Sequence, residues 1–95
     1  MITILLQPLV RDFAENKDIA RDIREKTLMP ALARADKITI DFAGVNGATQ
    51  SFIHALISDA LRKYGSDVLE HIIFRNCNDT IRVIITIVTE YMQES

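Results

Sequence analysis

Few residues in this chain are equipped for covalent or metal chemistry. It has two histidines, one cysteine and 13 carboxylates among 95 residues. His54 and His71 fall on different elements, and neither has a ligating partner at i+3 or i+4. A metal centre needs three or four converging N, O or S donors, so no metal site is expected. Cys77, between Asn76 and Asn78, reads as a half-buried thiol at a strand end, with a cysteine–histidine dyad left open. The carboxylates do not pair: Asp18, Asp22 and Glu25 belong to a helix surface, and Glu90 and Glu94 to the end of the last helix. Asp41 stands apart on the polar side of a strand. No phosphate-binding, dinucleotide, nucleophile-elbow or zincin pattern is present. No catalytic residue and no cofactor are therefore expected, and the chain reads as a non-enzyme.

The informative stretch is Asn46-Gly47-Ala48-Thr49-Gln50-Ser51-Phe52. It joins the C-terminal end of a strand to the start of a helix, where open α/β sheets place ligands and regulatory groups. The helix dipole and free N–H groups favour an anion there. A hydroxyl at this point has two uses. Thr49 or Ser51 can cap the helix, or one of them can accept a phosphate that remodels a docking surface. Phe52 can pack on the sheet or stand out as a docking anchor.

Composition limits the rest. The chain is 48% hydrophobic and 25% charged, enough for a real core, and its length fits one domain over residues 1–95. A net charge of −2 leaves no basic footprint for nucleic acid. Apolar runs such as Ile2 to Leu6 and Val83 to Val88 are too short to cross a membrane. One cysteine and no basic leader before the first apolar run suggest a cytoplasmic setting.

Three strands and three helices must position the loop. Met1–Leu6 is β-branched and apolar, and Pro8 stops it. A polar stretch, Arg11 to Asn16, leads to a helix capped by Asn16, with Ala20, Ile23, Thr27 and Ala31 at helical spacing. Arg21/Glu25 and Asp22/Lys26 lie on its solvated face, and Pro30 kinks it or starts a second helix over Met29–Ala35. Lys37–Phe42 alternates apolar and polar residues, which predicts a strand with helices on one face only. After the loop, Ile53, Leu56, Ile57, Ala60, Leu61 and Tyr64 form a helical stripe that Gly65 closes. Leu69–Phe74 reads as a third strand, and Asn78 or Asp79 caps the last helix. The order β-α-β-α-β-α implies an α/β fold with a mainly parallel central sheet.

The last helix carries two apolar rows. Ile81, Ile84, Ile85, Val88 and Met92 make the main stripe, and Val83, Ile87 and Tyr91 lie beside it. A helix apolar on both sides is either wedged inside the domain or meets another chain. Val83, Ile87 and Tyr91, together with Phe52 as a docking anchor, are the candidate interface residues, and a homodimer is one reading of the last helix.

The strand and loop Ile38-Thr39-Ile40-Asp41-Phe42-Ala43-Gly44-Val45 through Ser51-Phe52-Ile53 resemble the STAS (sulfate transporter and anti-sigma factor antagonist) domain. More closely, the chain is similar to a prokaryotic STAS-like family of unknown function. Arg24-Glu25-Lys26, Leu28, Pro30-Ala31-Leu32, Asp41-Phe42, Gly44-Val45, Ser51-Phe52, Ile73-Phe74, Asn76 and Arg82 carry that likeness over about residues 17–92. The resemblance implies a small STAS-like domain with helices mostly on one face. Related antagonists dock an ATP-dependent anti-sigma kinase and are switched by serine phosphorylation. Aligned on Gly44-Val45, Thr49 takes the place of the family's loop aspartate, Gln50 that of its phosphoserine and Ser51 that of the next serine, and Phe52 replaces a glycine. A kinase or histidine-kinase-type ATPase is the partner implied, docking on Asn46, Gly47, Thr49, Gln50 and Ser51. The alternatives are self-assembly through the last helix, and a small anion or nucleotide held at the helix N-terminus.

Overall fold

The computed structural model describes residues 2–94, with side chains through residue 92; Met1, which the sequence assigns to the first strand, lies outside the described residues. Three parallel strands form the main sheet: β1 (Ile2–Leu5), β3 (Ile38–Asp41) and β5 (Ile72–Arg75), in the spatial order β1-β3-β5. Both crossovers therefore step in one direction, and right-handed crossovers stepping one way put their helices on the same face. The one-sided α/β arrangement expected from the strand alternation is the arrangement found, and it is consistent with the STAS-like fold that the resemblance implies.

Register explains the two faces. Ile4, Ile40 and Phe74 line up across the sheet, as do Thr3, Thr39 and Ile73 on the opposite face. Ile38, Ile40 and Phe42 are fully buried under the helices. On the open face Thr3, Leu5 and Arg75 are exposed. Thr39 departs from the simple alternation: although polar, it is buried. It is central in the middle strand, with Thr3 and Ile73 beside it in register. Its hydroxyl has no hydrogen-bond partner among the described residues.

The first crossover is more elaborate than its sequence suggests. Pro8 ends β1 by opening a one-turn helix, α1 (Gln7–Val10), since proline tolerates the first helical turn. The polar stretch that follows contains a two-residue strand, β2 (Phe13–Ala14), which pairs in parallel with β4 (Gly47–Ala48). Asn16 then caps α2 (Lys17–Ile23), its side-chain oxygen accepting from the Asp18 and Ile19 N–H groups at 2.9 and 3.4 Å. A π-helical turn, Arg24–Leu28, leads into α3 (Met29–Ala33), whose first turn holds Pro30. The extra residue of a π turn shifts the helical phase. Leu28 is fully buried in consequence, while Thr27, placed on the stripe by plain helical spacing, is half-buried.

Arg24 locks this turn to α4 (Gln50–Tyr64). Its guanidinium donates to the Ala55 carbonyl at 3.0 Å and pairs with Asp59 at 3.3 Å, with 15% of the side chain exposed. Of the two surface pairs given by spacing, Lys26 reaches Asp22 at 3.9 Å, whereas Arg21 pairs with Asp18 and Glu25 with Arg24. A short 3-10 turn, Ser66–Glu70, follows α4, so the third strand starts later than the apolar run at Leu69 suggests. Gly65 precedes that turn with φ of 75°, the positive value expected of a helix-ending glycine. The last helix, α5 (Asp79–Glu94), packs its Ile81, Ile85 and Val88 row into the core.

Candidate functional site

Loop 43–49 is held from three sides. The Asn46 N–H donates to the Asp12 carbonyl at 2.7 Å, and the Thr49 N–H to Ala14 at 3.0 Å, which extends the β2–β4 ribbon. From the far side the Asn78 side-chain amide donates to the Asn46 carbonyl at 2.6 Å. Gly47 is buried against Phe13: a Cβ there would lie 2.8 Å from the ring. Gly47 is thus part of the scaffold and unavailable as a docking residue.

Thr49 is the cap of α4. Its backbone is extended, and its hydroxyl oxygen accepts from the Phe52 N–H at 3.0 Å. Of the two uses a hydroxyl could have here, Thr49 serves the capping one. Ser51 lies exposed in the first turn of the helix, beside exposed Gln50. Phe52 is fully buried and belongs to the core, which corrects its place among the candidate interface residues. The reason is that α4 packs against both α2 and α5. A helix in that position must bury two rows, so Phe52, Leu56 and Ala60 join Ile53, Ile57 and Leu61.

Two features that are far apart in sequence meet beside this loop. A groove of about 410 Å³ is lined by Lys17, Gln50, Ser51, His54 and Ala55 on one side and by Ile87, Val88 and Tyr91 on the other. The start of α4 and the outer row of α5 therefore share one surface. Val83, Ile87 and Tyr91 are 56%, 42% and 65% exposed, so the outer row is not wedged within the domain. Val83 continues that row beyond the groove's lining. Lys17, His54, Ala55 and Val88 are the groove residues that reading the sequence did not place at a site. Ser51, His54 and Ala55 are spaced i, i+3, i+4, which already sets them on one helical face. What the spacing does not reveal is that α5 and the N-terminus of α2 close the other walls.

A second cluster stitches the carboxyl ends of β3 and β5. One Asp41 oxygen accepts from the Ala43 N–H and from the Asn76 side-chain amide, both at 2.9 Å. The Asn76 bond foremost, then that of Ala43, holds the Asp41 carboxyl below the usual carboxylate range. Asp41 is thus a fastener rather than a merely solvated strand residue. Cys77 is half-buried nearby, and burial pushes its thiol upward. Among the described residues no cluster of three His, Cys, Asp or Glu could hold a metal ion. No helix among them is long and apolar enough to cross a membrane.

The strand, pinned loop and helix occupy the centre of a family match. The model of the STAS-like domain of unknown function (DUF4325) matches residues 20–82, well over half of the chain. The chain belongs to this family. No curated protein and no solved structure matches it. The STAS-like match takes in α4 and β5 and stops in the first turn of α5. Arg24, Asp41 and Asn76, three of the residues that carry the likeness, all make cross-element contacts in this STAS-like domain.

Proposed function

We propose that this STAS-like domain is a non-enzymatic regulatory module that docks a protein partner, an ATPase or kinase of the anti-sigma type, on Asn46, Gln50 and Ser51. The observation that carries the reading is a loop pinned through its backbone while these three side chains stay exposed. A surface ordered before binding loses less freedom on association than a floppy one. Beside it Lys17 and His54 add further polar side chains along the start of α2 and α4. If the module is switched by phosphate, Ser51 is the acceptor, because the Thr49 oxygen is engaged in the cap. A phosphate on Ser51 would sit in the first turn of α4, where the helix dipole favours negative charge.

The test is capture of partners from lysate of the source cells with ATP, comparing the wild type with an Asn46→Ala/Gln50→Ala/Ser51→Ala variant. The expected result is an ATPase or kinase retained by the wild type and lost by the variant, at unchanged melting temperature. Full retention by the variant would overturn the reading.

A further inference from the structure

The outward face of α5 carries two rows, Arg82, Thr86 and Glu90 in one, and Val83, Ile87 and Tyr91 in the other, all of them exposed. The second row leaves on the order of 300 Å² of apolar surface open, comparable with the functional patches of monomeric proteins. Neither Arg82 nor Glu90 has an ion-pair partner among the described residues.

The order of these residues indicates what covers them. Arg82 and Glu90 are equally spaced about Thr86, and Val83 and Tyr91 about Ile87. The two centres are adjacent residues, about 1.5 Å apart along the axis. An antiparallel second copy, turned about a two-fold axis at that level, brings each Arg82 level with the partner's Glu90 and each Val83 level with the partner's Tyr91. The two Ile87 side chains then meet on the axis. A two-fold contact must be self-complementary, and this face is, in charge as well as in apolar bulk. A parallel copy would instead put the two Arg82–Thr86–Glu90 rows on opposite flanks of the seam, where they cannot pair.

We propose that α5 pairs antiparallel with the α5 of a second copy of this chain, about a two-fold axis level with Thr86 and Ile87, with Arg82–Glu90 ion pairs between the copies. The helix offers a contact line of about 24 Å. Because Ile87 and Tyr91 also line the groove, a paired copy covers one wall of it.

Sedimentation velocity of the purified chain from micromolar to millimolar concentration tests this, with circular dichroism checking that each variant stays folded. The wild type should dimerise, and Ile87→Asp should weaken the dimer by more than tenfold, since it places two like charges on the axis. Arg82→Glu and Glu90→Arg alone should each weaken it about tenfold, and the double swap should restore it to near the wild-type value. A wild type that stays monomeric at millimolar concentration would overturn the proposal. So would a dimer indifferent to Ile87→Asp, or a double swap no tighter than the single ones.

Discussion

Asn78 ties the start of the last helix to the candidate loop with one side chain. Its amide nitrogen donates to the Asn46 carbonyl at 2.6 Å while its oxygen caps α5 by accepting from the Ile81 N–H at 2.9 Å. The two halves of that side chain are separable by mutation. Asn78→Asp keeps the cap and removes the donor, and should cost about 1 kcal/mol while speeding amide hydrogen exchange in the loop. Asn78→Ala removes both bonds and should cost about 2 kcal/mol. Urea unfolding with exchange measured by NMR checks both. Equal losses in the two variants would mean that the cap contributes nothing, and an Asn78→Asp variant as stable as the wild type would mean the same of the loop tie.

Thr49 and Ser51 should separate in the same kind of experiment. Thr49→Ala loses the cap of α4 and should destabilise the fold by about 1 kcal/mol, whereas Thr49→Ser keeps an acceptor and should cost far less. Ser51 is exposed, so Ser51→Ala should change stability by less than about 0.5 kcal/mol. Denaturant midpoints decide this, and a large loss at Ser51 would contradict the geometry.

Asp41 makes a prediction about acid. Its folded-state carboxyl titrates below the ordinary value of about 4, first through Asn76 and then through Ala43. A carboxylate held low in the folded state contributes stability above its unfolded value and loses it as pH falls through the folded one. The wild type should therefore weaken steadily on acidification in that range, and Asp41→Asn should show a shallower dependence. Urea midpoints along a pH series measure it, and parallel curves would remove Asp41 from the account.

Cys77 should be a slow nucleophile. Burial raises its thiol and outweighs the lowering effect of Arg82, while Asp41 pushes further upward. Alkylation by iodoacetamide should follow a pH profile whose midpoint lies above the free thiol's value of about 8.5. Arg82→Gln should move that midpoint higher still. Rapid alkylation at neutral pH would contradict the half-buried setting.

Much of the frame was legible in the residues themselves. The alternation of Ile38, Ile40 and Phe42, the stripe from Ile53 to Tyr64 and the caps at Asn16 and Asn78 each follow a strong local rule, and each element is present. What escaped was set by partners distant in sequence. Phe13–Ala14 and Gly47–Ala48 are each too short to show a period, and they become strands only by pairing with one another. Thr27 fell off the stripe because a π turn adds a residue that plain spacing does not register. Phe52 looked free to be an anchor only while α4 was treated as having one covered side. The groove was half legible: Ser51, His54 and Ala55 share a face by spacing, but no local rule brings Ile87 and Tyr91 beside them.

The spatial order β1-β3-β5 decides whether the sheet has a switch point. Open parallel sheets cradle nucleotides where successive connections leave in opposite directions and a cleft opens between them. Here both connections leave in the same direction, and that end of the sheet is sewn shut by Asp41, Asn76 and Asn78. The winding is that of a nucleotide-binding half without its mirror turn. Among the described strands, then, no reversal of direction opens the crevice that such ligands use.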